Sequence, residues 1–322
     1  MLEPAIRDPA RPVTTLGQRR YLGGKSKLLP QLKALVDGQL GPVASFADLF
    51  AGTGVVSQAF NGPDVVTLSN DLLRCNQLIL QAFLGEVPDE SNRVESLFVH
   101  LESLTPRAGY VTETFGGAYF SPGISAQIDA MREEMRALAE AEEITPWLES
   151  VALASLLYAA DRLANTCGHY DAYRRVSPVE GQIVLRRPDF DAQRNAGNRV
   201  HGEDANRIAT RLSADVVYLD PPYNSRQYCD TYHVLENIAR WEKPQVVGVS
   251  RKMDRSQLKS RYCSRVQAPL VLGELVASAF SEWKASPLAS PFSLCPFWLI
   301  SGSCCKSGQG APFLDGSCYY TC

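Results

Sequence analysis

The chain lacks the segments that would place it in a membrane or direct it out of the cell. No run of about 18 uninterrupted apolar residues occurs, and residues 1–18 form a polar leader without an apolar signal core. We therefore expect a cytoplasmic protein with reduced thiols and no membrane partner.

The sequence also lacks the spacings typical of metal sites. Its four histidines and nine cysteines form no C-x-x-C pair and no zinc-ligand pattern. Cys304 and Cys305 are adjacent, which is poor geometry for two ligands of one ion. We predict no metal site.

An overall excess of positive charge is absent as well. The formal net charge is −3, which on average argues against a nucleic-acid partner. One segment, residues 240–265, is an exception, because eight basic residues against two acidic ones leave an excess of six. The eight are Arg240, Lys243, Arg251, Lys252, Arg255, Lys259, Arg261 and Arg265. This segment is either a phosphate-binding surface or a solvated helical face.

Strands and helices are predicted to alternate along two parts of the chain. The segment "VASFADLFAGTGVVSQAF" predicts a strand, a glycine turn and a helix, and "DVVTLSNDLLRCNQLILQAFL" repeats that order. The apolar run in "ADVVYLD" resumes the alternation, and "TYHVLENIARW" predicts the helix that follows it. This order predicts an α/β fold with a doubly wound, mostly parallel sheet.

The alternation stops between residues 85 and 200. There "ISAQIDAMREEMRALAEAEE" has helical periodicity, and "PWLESVALASLLYAADRLANTC" predicts a mostly apolar, buried helix. An irregular, arginine-rich segment follows. We interpret residues 85–200 as an insertion into a discontinuous domain formed by residues 19–84 and 201–280.

Residues 281–322 form a tail of different composition. The tail is rich in serine, contains five of the nine cysteines, and includes only one short apolar run, "FWLI". A shifted reading frame would produce such a change, so we hypothesise that the tail is foreign to the fold. The sheet would then be incomplete at its C-terminal end.

Two glycine-rich stretches are candidate ligand loops. "GGKSK" is not a phosphate loop, because Arg19 stands where the motif G-x-x-x-x-G-K-[ST] requires its first glycine. "DLFAGTG" is a stronger candidate, since Gly52 and Gly54 follow a predicted strand and allow close approach of a ligand. Asp71 lies 23 residues after Asp48, where an acid can accept hydrogen bonds from ribose hydroxyls.

The stretch "YLDPPYNSRQY" ends the predicted strand "ADVVYL" with a group of chemically useful residues. Proline cannot continue the sheet hydrogen bonds and has few backbone states, so Pro221 and Pro222 hold nearby groups in fixed directions. The Asp220 carboxylate and a backbone carbonyl can accept both hydrogens of an exocyclic amine, while Tyr223 offers a ring for stacking. A simple strand-ending turn would not require all four residues in this order.

In the order "RYLGGKSKLL", "DLFAGTG" and "DPPY", the sequence resembles the adenine-specific DNA methyltransferases of the DNA adenine methylase (D12 class) type. The resemblance covers roughly residues 19–265. The extended motif "YNSRQY" and the segment "ANTCGHYDAY" resemble restriction-modification methylases in particular. A Rossmann-like fold, S-adenosyl-L-methionine as cofactor and double-stranded DNA as substrate are what this resemblance implies, with a cognate restriction endonuclease as a further candidate partner.

The resemblance also implies roles for individual residues. It assigns the catalytic motif to Asp220, Pro221, Pro222 and Tyr223. The residues that it assigns to the cofactor are Tyr21, Lys25, Asp48, Phe50, Gly52, Gly54, Asp71 and Asp204. The insertion would recognise the target sequence, and we expect DNA contacts from Arg186, Arg187, Arg226, Arg251 and Lys252.

The expected reaction is methyl transfer to the N6 amine of an adenine flipped out of the duplex. Two alternatives remain at this point. One is methylation of an adenine amino group in RNA, against which the recognition insertion and "YNSRQY" argue. The other is a non-catalytic DNA-binding remnant that uses the basic segment 240–265.

Overall fold

The computed structural model of the chain describes residues 11–21, 23–222, 225–285, 297–300 and 318–320. Its strands are β1 (Val13–Thr14), β2 (Ser45–Asp48), β3 (Val66–Asn70), β4 (Arg187–Pro188), β5 (Arg199–His201), β6 (Val216–Leu219), β7 (Phe297–Ile300) and β8 (Cys318–Tyr320). Its helices are α1 (Leu29–Leu40), α2 (Val55–Phe60), α3 (Arg74–Leu84), α4 (Val94–Glu102), α5 (Tyr110–Phe115), α6 (Pro122–Glu140), α7 (Pro146–Leu163), α8 (Ala205–Ala209), α9 (Tyr228–Thr231), α10 (His233–Arg240) and α11 (Ala268–Ala285).

Six of the strands form one sheet in the order β5-β3-β2-β6-β7-β8. Neighbouring strands are parallel except at the β7–β8 pair, which is antiparallel. All four residues of β6 are buried, as expected for a central parallel strand covered on both faces. The predicted α/β fold with a doubly wound, mostly parallel sheet is therefore confirmed.

The chain changes direction across the sheet between β2 and β6. From β2 it proceeds outward to β3 and later β5, and it then returns past β2 to build β6 on the opposite side. Doubly wound sheets bind ligands beyond the carboxyl ends of the strands at such a switch point. Asp48 ends β2, Asp71 follows β3, and Asp220 follows β6, so the three acids lie at this edge.

Two short parts of the tail extend the sheet beyond β6. The run "FWLI" forms β7, which pairs in parallel with β6, and Cys318–Tyr320 forms β8 against β7. The sheet is open, with β5 and β8 as its outer strands among the residues that the structure describes. The rest of the tail, residues 286–296, 301–317 and 321–322, lies outside the described residues, as does the leader up to residue 10.

Residues 85–200, interpreted above as an insertion, share a hydrophobic core with α3 and α10. Helices α4 to α7 pack in one cluster with α3 and α10, and the Tyr158 ring of α7 lies 5.7 Å from that of Phe83 in α3. The mostly apolar α7 is buried along most of its length, as predicted. It begins where the Thr145 hydroxyl accepts a hydrogen bond from the Leu148 N–H, with Pro146 in the first turn.

The described residues lack a membrane-spanning helix and a cluster of metal-binding side chains. None of the helices there combines the length and the apolar character needed to cross a bilayer. The same residues contain no group of three or more His, Cys, Asp and Glu side chains placed to hold a metal ion.

Candidate active site

The carboxyl ends of β2, β3 and β6 open into one cleft of about 1050 Å³, counting its solvent-filled mouth. Nine of the residues singled out from the sequence line it: Tyr21, Lys25, Asp48, Phe50, Gly52, Asp71, Asp204, Asp220 and Pro222. Pro221 is buried and is not one of the lining residues, and Tyr223 lies outside the described residues. The structure thus places the glycine loop and the "DPP" motif in a common cleft.

The loop after β2 is shaped by Gly52. Its φ is +53°, in the left-handed region, and a Cβ atom at this position would lie 3.3 Å from the Tyr21 ring. Its N–H donates a 2.9 Å hydrogen bond to Asp71 Oδ2. The loop is therefore tied to the end of β3 and leaves its backbone open to the cleft.

Gly54 lies close to side chains of α3. Its φ is +80°, and a Cβ atom there would lie 2.6 Å from Leu80 Cδ2. It precedes α2 and does not belong to the cleft lining. Gly54 allows the loop to pack against α3, so it supports the cleft from behind.

Asp48 is a buried carboxylate at the base of the cleft. Its oxygens accept hydrogen bonds from Ser57 Oγ at 3.1 Å and from the Phe50 N–H at 3.3 Å. Burial raises the pKa of Asp48 to about 7, against the lowering effect of the Ser57 hydroxyl. The negative charge of Asp220 raises the pKa of Asp48 further. This carboxyl group therefore titrates close to neutral pH.

Asp71 is oriented by the backbone around it. Its carboxylate accepts hydrogen bonds of 2.9 Å from the N–H groups of Gly52 and Leu73. Burial raises the pKa of Asp71, and these backbone N–H groups oppose the rise. The fixed carboxylate at the end of β3 is placed to accept hydrogen bonds from a ligand in the cleft.

Asp220 forms an ion pair with Lys25. Lys25 Nζ lies 3.1 Å from Asp220 Oδ2, and the two side chains are only 17% and 15% exposed. A pair with this little exposure is screened weakly by solvent. The structure therefore places Lys25 beside the carboxylate of the "DPPY" motif, a contact that sequence reasoning did not predict.

Three tyrosine rings stand in parallel at one side of the cleft, and two of them, Tyr21 and Tyr228, line it. The Tyr21 ring lies 4.8 Å from that of Tyr232 and 5.4 Å from that of Tyr228, with interplanar angles of 3° and 9°. The buried Arg19 guanidinium lies 5.0 Å from the Tyr232 ring centroid. Sequence reasoning missed Tyr228 and Tyr232, although Tyr228 is the last residue of the quoted "YNSRQY".

The far end of the cleft is formed by α8 and by residues near Tyr262. Asp204 precedes α8, and its Oδ1 accepts a 2.9 Å hydrogen bond from the Asn206 N–H. The ring of Phe50 meets that of Tyr262 edge-on, with centroids 5.1 Å apart. Asp204 thus shares the cleft with Asp71 and Phe50, whereas Tyr262 was not anticipated from the sequence.

Comparison with known proteins agrees with this geometry. Residues 21–286 match the family model described as D12 class N6 adenine-specific DNA methyltransferase. That match covers most of the chain and includes every element that lines the cleft. The chain belongs to this family.

The curated relatives are named as modification methylases or type II methyltransferases. The chain is 32% identical over 272 residues to modification methylase StsI of Streptococcus sanguinis, covering 80% of this chain and 42% of that protein. It is 30% identical over 274 residues to type II methyltransferase M.NlaIII of Neisseria lactamica, covering 80% of each. It is 28% identical over 278 residues to type II methyltransferase M.FokI of Planomicrobium okeanokoites, covering 81% of this chain and 43% of that protein. The chain thus spans less than half the length of two of these relatives.

Arg186 and Arg187, the DNA contacts expected from the insertion, do not line the cleft. The Arg187 guanidinium stacks on the Phe190 ring at 4.5 Å, and that ring packs on Trp147 at the start of α7. The Arg186 carbonyl accepts a 2.8 Å hydrogen bond from Ser155 Oγ in the middle of α7. Both arginines have contacts within the folded chain.

The basic segment 240–265 is also largely paired with acids of the chain itself. Arg240 lies against Glu236, Lys243 against Glu133, and Arg261 against Glu274. Lys252 lies 2.8 Å from Asp171, and Arg255 lies 2.6 Å from Asp230. The excess of six positive charges counted along this segment is therefore reduced by acids from other elements.

The other two expected DNA contacts differ in their surroundings. The Arg251 guanidinium donates to the carbonyls of Thr114 and Gly116, at the end of α5. Arg226 is exposed in the loop that follows Pro222. Lys259, which was not singled out as a DNA contact, lines the cleft.

Proposed function

We propose that this chain transfers the methyl group of S-adenosyl-L-methionine to the N6 amine of an adenine flipped out of double-stranded DNA. The observation that carries the proposal is the shared cleft, in which Asp220 and Pro222 face the same space as the Gly52 turn. Family membership supports adenine in DNA over the RNA alternative.

The cleft fits the proposed cofactor. Gly52 leaves a space that a Cβ atom would fill against the Tyr21 ring, and the Asp71 carboxylate is held at the end of β3. Asp204 and Phe50 would hold the adenosine part at the other end of the cleft. When bound, S-adenosylmethionine supplies a methyl group that is bonded to a sulfonium sulfur, and this sulfur centre is a good leaving group.

The chain itself supplies orientation and charge. The Asp220 carboxylate and the Pro221 carbonyl would accept the two hydrogens of the adenine amine, which directs the nitrogen lone pair away from them. The carboxylate also stabilises the positive charge that develops on that nitrogen. Tyr223 would stack on the flipped base and recover part of the energy lost on unstacking it.

The relatives suggest the biological setting. StsI is named a modification methylase, and M.NlaIII and M.FokI are named type II methyltransferases. We propose that this chain likewise modifies a specific site in DNA, with a restriction endonuclease acting on the same site as its partner. The proposal places the protein in the cytoplasm, where chromosomal DNA and the cofactor are present.

The test is incubation of purified protein with labelled S-adenosylmethionine and mixed-sequence DNA, followed by mapping of methylated positions. We expect N6-methyladenine at one short sequence. Asp220→Ala should reduce methylation by at least about 1000-fold while binding of S-adenosylmethionine stays within a few-fold of the original. Matched RNA substrates should remain unmodified.

A control substitution is available at the opposite end of the sheet. Asp64 is exposed just before β3, at the amino end of the strand. Asp64→Asn should leave both binding and methylation unchanged. Normal turnover by Asp220→Ala would rule out the proposed role of this carboxylate.

A further inference from the structure

A buried asparagine joins two residues that line the cleft to a buried cation. Asn76 lies in the first turn of α3, and it is fully buried. Neither the sequence analysis nor the proposed function assigns it a role, and it does not belong to the cleft lining. Its neighbours Tyr21 and Asp71 do line the cleft. Asn76 therefore borders the region proposed to hold the cofactor.

The cation is the guanidinium of Arg19, which is 7% exposed. Arg19 Nη1 donates a 2.7 Å hydrogen bond to Asn76 Oδ1. The buried Nε and Nη2 atoms of Arg19 have no hydrogen-bond partner among the described residues. The guanidinium carbon lies 5.4 Å and 5.0 Å from the ring centroids of Tyr21 and Tyr232. Within the part of the chain that the structure describes, this buried charge thus depends on Asn76 as its hydrogen-bond acceptor.

The arginine fixes the direction of the Asn76 amide. A guanidinium has only N–H donors and stays protonated in proteins, so the amide atom that faces it must be the oxygen. The amide nitrogen then faces the other side, where it donates to the Tyr21 hydroxyl oxygen at 3.5 Å. The chemistry of Arg19 therefore sets which end of the amide is turned toward the residues of the cleft.

The amide nitrogen of Asn76 also serves Asp71. Burial raises the pKa of Asp71, and a hydrogen bond from the Asn76 side chain acts against that rise. The Asp71 carboxylate also accepts from the backbone N–H groups of Gly52 and Leu73. Asn76 adds a side-chain donor to these two, and the same amide touches Tyr21.

We propose that Asn76, with its amide oriented by Arg19, is a positioning residue that holds Tyr21 and Asp71 in place for S-adenosylmethionine. The inference rests on the proposed function, because that function places the cofactor beside these two residues. A carboxylate that is already held by three donors loses little freedom when a ligand arrives, which favours binding. The Tyr21 ring is held in a similar way, with the amide at its hydroxyl and the Gly52 turn beside it.

The first experiment replaces the donor at this position by an acceptor. Asn76→Asp has nearly the same shape and still accepts from Arg19, but it turns a second carboxylate oxygen toward Asp71. The dissociation constant of S-adenosylhomocysteine is measured by calorimetry between about pH 5.5 and pH 8. At pH 8 we expect the affinity to fall by about 10-fold or more, because a donor to a charged group is lost and two acceptors are opposed.

The pH dependence separates this cause from a general disturbance of the fold. The ionisable groups around the amide and its partners are Arg19, Tyr21, Asp71, Cys75, Tyr232 and Glu236, with Asp161 from α7. Two opposed carboxylates share a proton with a raised pKa, and that proton restores a donor between them. The ratio of the two dissociation constants, Asn76→Asp over original protein, should therefore fall toward 1 as the pH is lowered. Taking the ratio at each pH removes the titration of Asp48, which both proteins share.

A matched control makes the same change at another buried asparagine. The side-chain amide of Asn237 in α10 bonds to the Tyr110 hydroxyl and the His233 carbonyl. Asn237→Asp should leave the dissociation constant within about 2-fold of the original at each pH, since independent sites do not couple. The proposal is overturned if the Asn76→Asp ratio is 1 at pH 8, if that ratio is the same at every pH, or if Asn237→Asp gives the same profile.

The second experiment tests Arg19 and leaves Asn76 intact. Arg19→Lys keeps a cation that only donates and should retain the affinity, whereas Arg19→Met frees the amide to rotate and should weaken binding by about 5-fold. In steady-state kinetics Arg19→Met should raise KM for S-adenosylmethionine and keep kcat within about 3-fold, because Asp220 is unchanged. Original affinity in Arg19→Met would contradict the orienting role. An original protein that binds S-adenosylhomocysteine but methylates no DNA would count against the proposed function alone.

Discussion

The carboxyl edge of the sheet and the basic segment 240–265 both contain charged residues, but they use them differently. At the sheet edge, Asp48, Asp71 and Asp220 are placed in one cleft by the ends of three parallel strands. In the basic segment, Lys252 and Arg255 are paired with Asp171 and Asp230. The acids face a ligand cleft, whereas much of the basic charge faces other parts of the chain.

The difference shows what kind of sequence signal specifies a site. The acids at the sheet edge are each linked to a strand end, and the geometry of a doubly wound sheet brings strand ends together. The basic residues were counted along a segment, and a count does not include the acids that tertiary structure brings to it. Four predictions test how far this contrast holds.

The largest effect is expected at the ion pair within the sheet edge. Lys25→Met removes the cation 3.1 Å from Asp220 and should lower kcat by about 100-fold, because the paired carboxylate loses its orientation. The measurement is steady-state kinetics with S-adenosylmethionine as the varied substrate. Lys25→Arg should recover part of kcat. If Lys25 acts only by holding the cofactor, KM for S-adenosylmethionine will rise while kcat stays unchanged.

The next effect concerns the two glycines of the loop. Gly54→Ala places a side chain at φ +80° and 2.6 Å from Leu80, so it should lower the free energy of unfolding by about 2 kcal/mol. Gly52→Ala, at φ +53° and 3.3 Å from Tyr21, should weaken cofactor binding more than Gly54→Ala does. Urea unfolding and cofactor titration of both variants measure the two effects. If Gly52→Ala and Gly54→Ala weaken cofactor binding equally, Gly54 is also part of the ligand-binding loop.

A third prediction uses the pH dependence of stability at Asp48. The folded protein retains a proton here up to a pKa of about 7, whereas an unfolded aspartate loses it near its ordinary pKa of about 4. Stability therefore falls as pH rises between these values and levels off above pH 7. Asp48→Asn cannot ionise, so its stability relative to the original protein should rise by on the order of 2 kcal/mol between pH 5 and pH 8. Urea unfolding at several pH values tests this, and a constant difference would contradict it.

The smallest effects are expected in the basic segment. Lys259 lines the cleft, so Lys259→Ala should weaken DNA binding and lower the slope of log K against log salt by about 1. Lys252→Ala breaks contacts to Asp171 and Asp230, so it should cost about 1 kcal/mol of stability and leave the salt slope unchanged. If the slope of log K against log salt falls equally in Lys259→Ala and Lys252→Ala, the whole segment 240–265 acts as a DNA-binding surface.

Sequence reasoning predicted the elements with strong patterns. The strands β2, β3 and β6 and the long helices α6 and α7 follow from apolar runs and helical periodicity. It could not predict β1 and β4, which are two residues each, because so short a strand has no period. Such strands depend on the tertiary contacts around them.

The same reasoning brought the candidate acids together but missed several of their neighbours. Gln227 and Tyr262 meet the cleft through contacts between residues far apart in sequence, at Ser260 and Asn206. No spacing rule connects such pairs. The assignment of Gly54 to the ligand stays a prediction, and the sequence alone did not indicate that Leu80 of α3 lies close to this glycine.

The core that residues 85–200 share with α3 and α10 limits how this part of the chain could be exchanged. Because α7 packs directly on α3, removing residues 85–200 as a cassette would leave Phe83 and its neighbours facing water. A chimera that grafts the corresponding region of a relative should fold only if α7 is kept with its original partner. The loops between Ala164 and β4 belong to the same core, because Tyr170, Ile183 and Leu185 are buried in the cluster that contains α7, so they too must be kept with that helix.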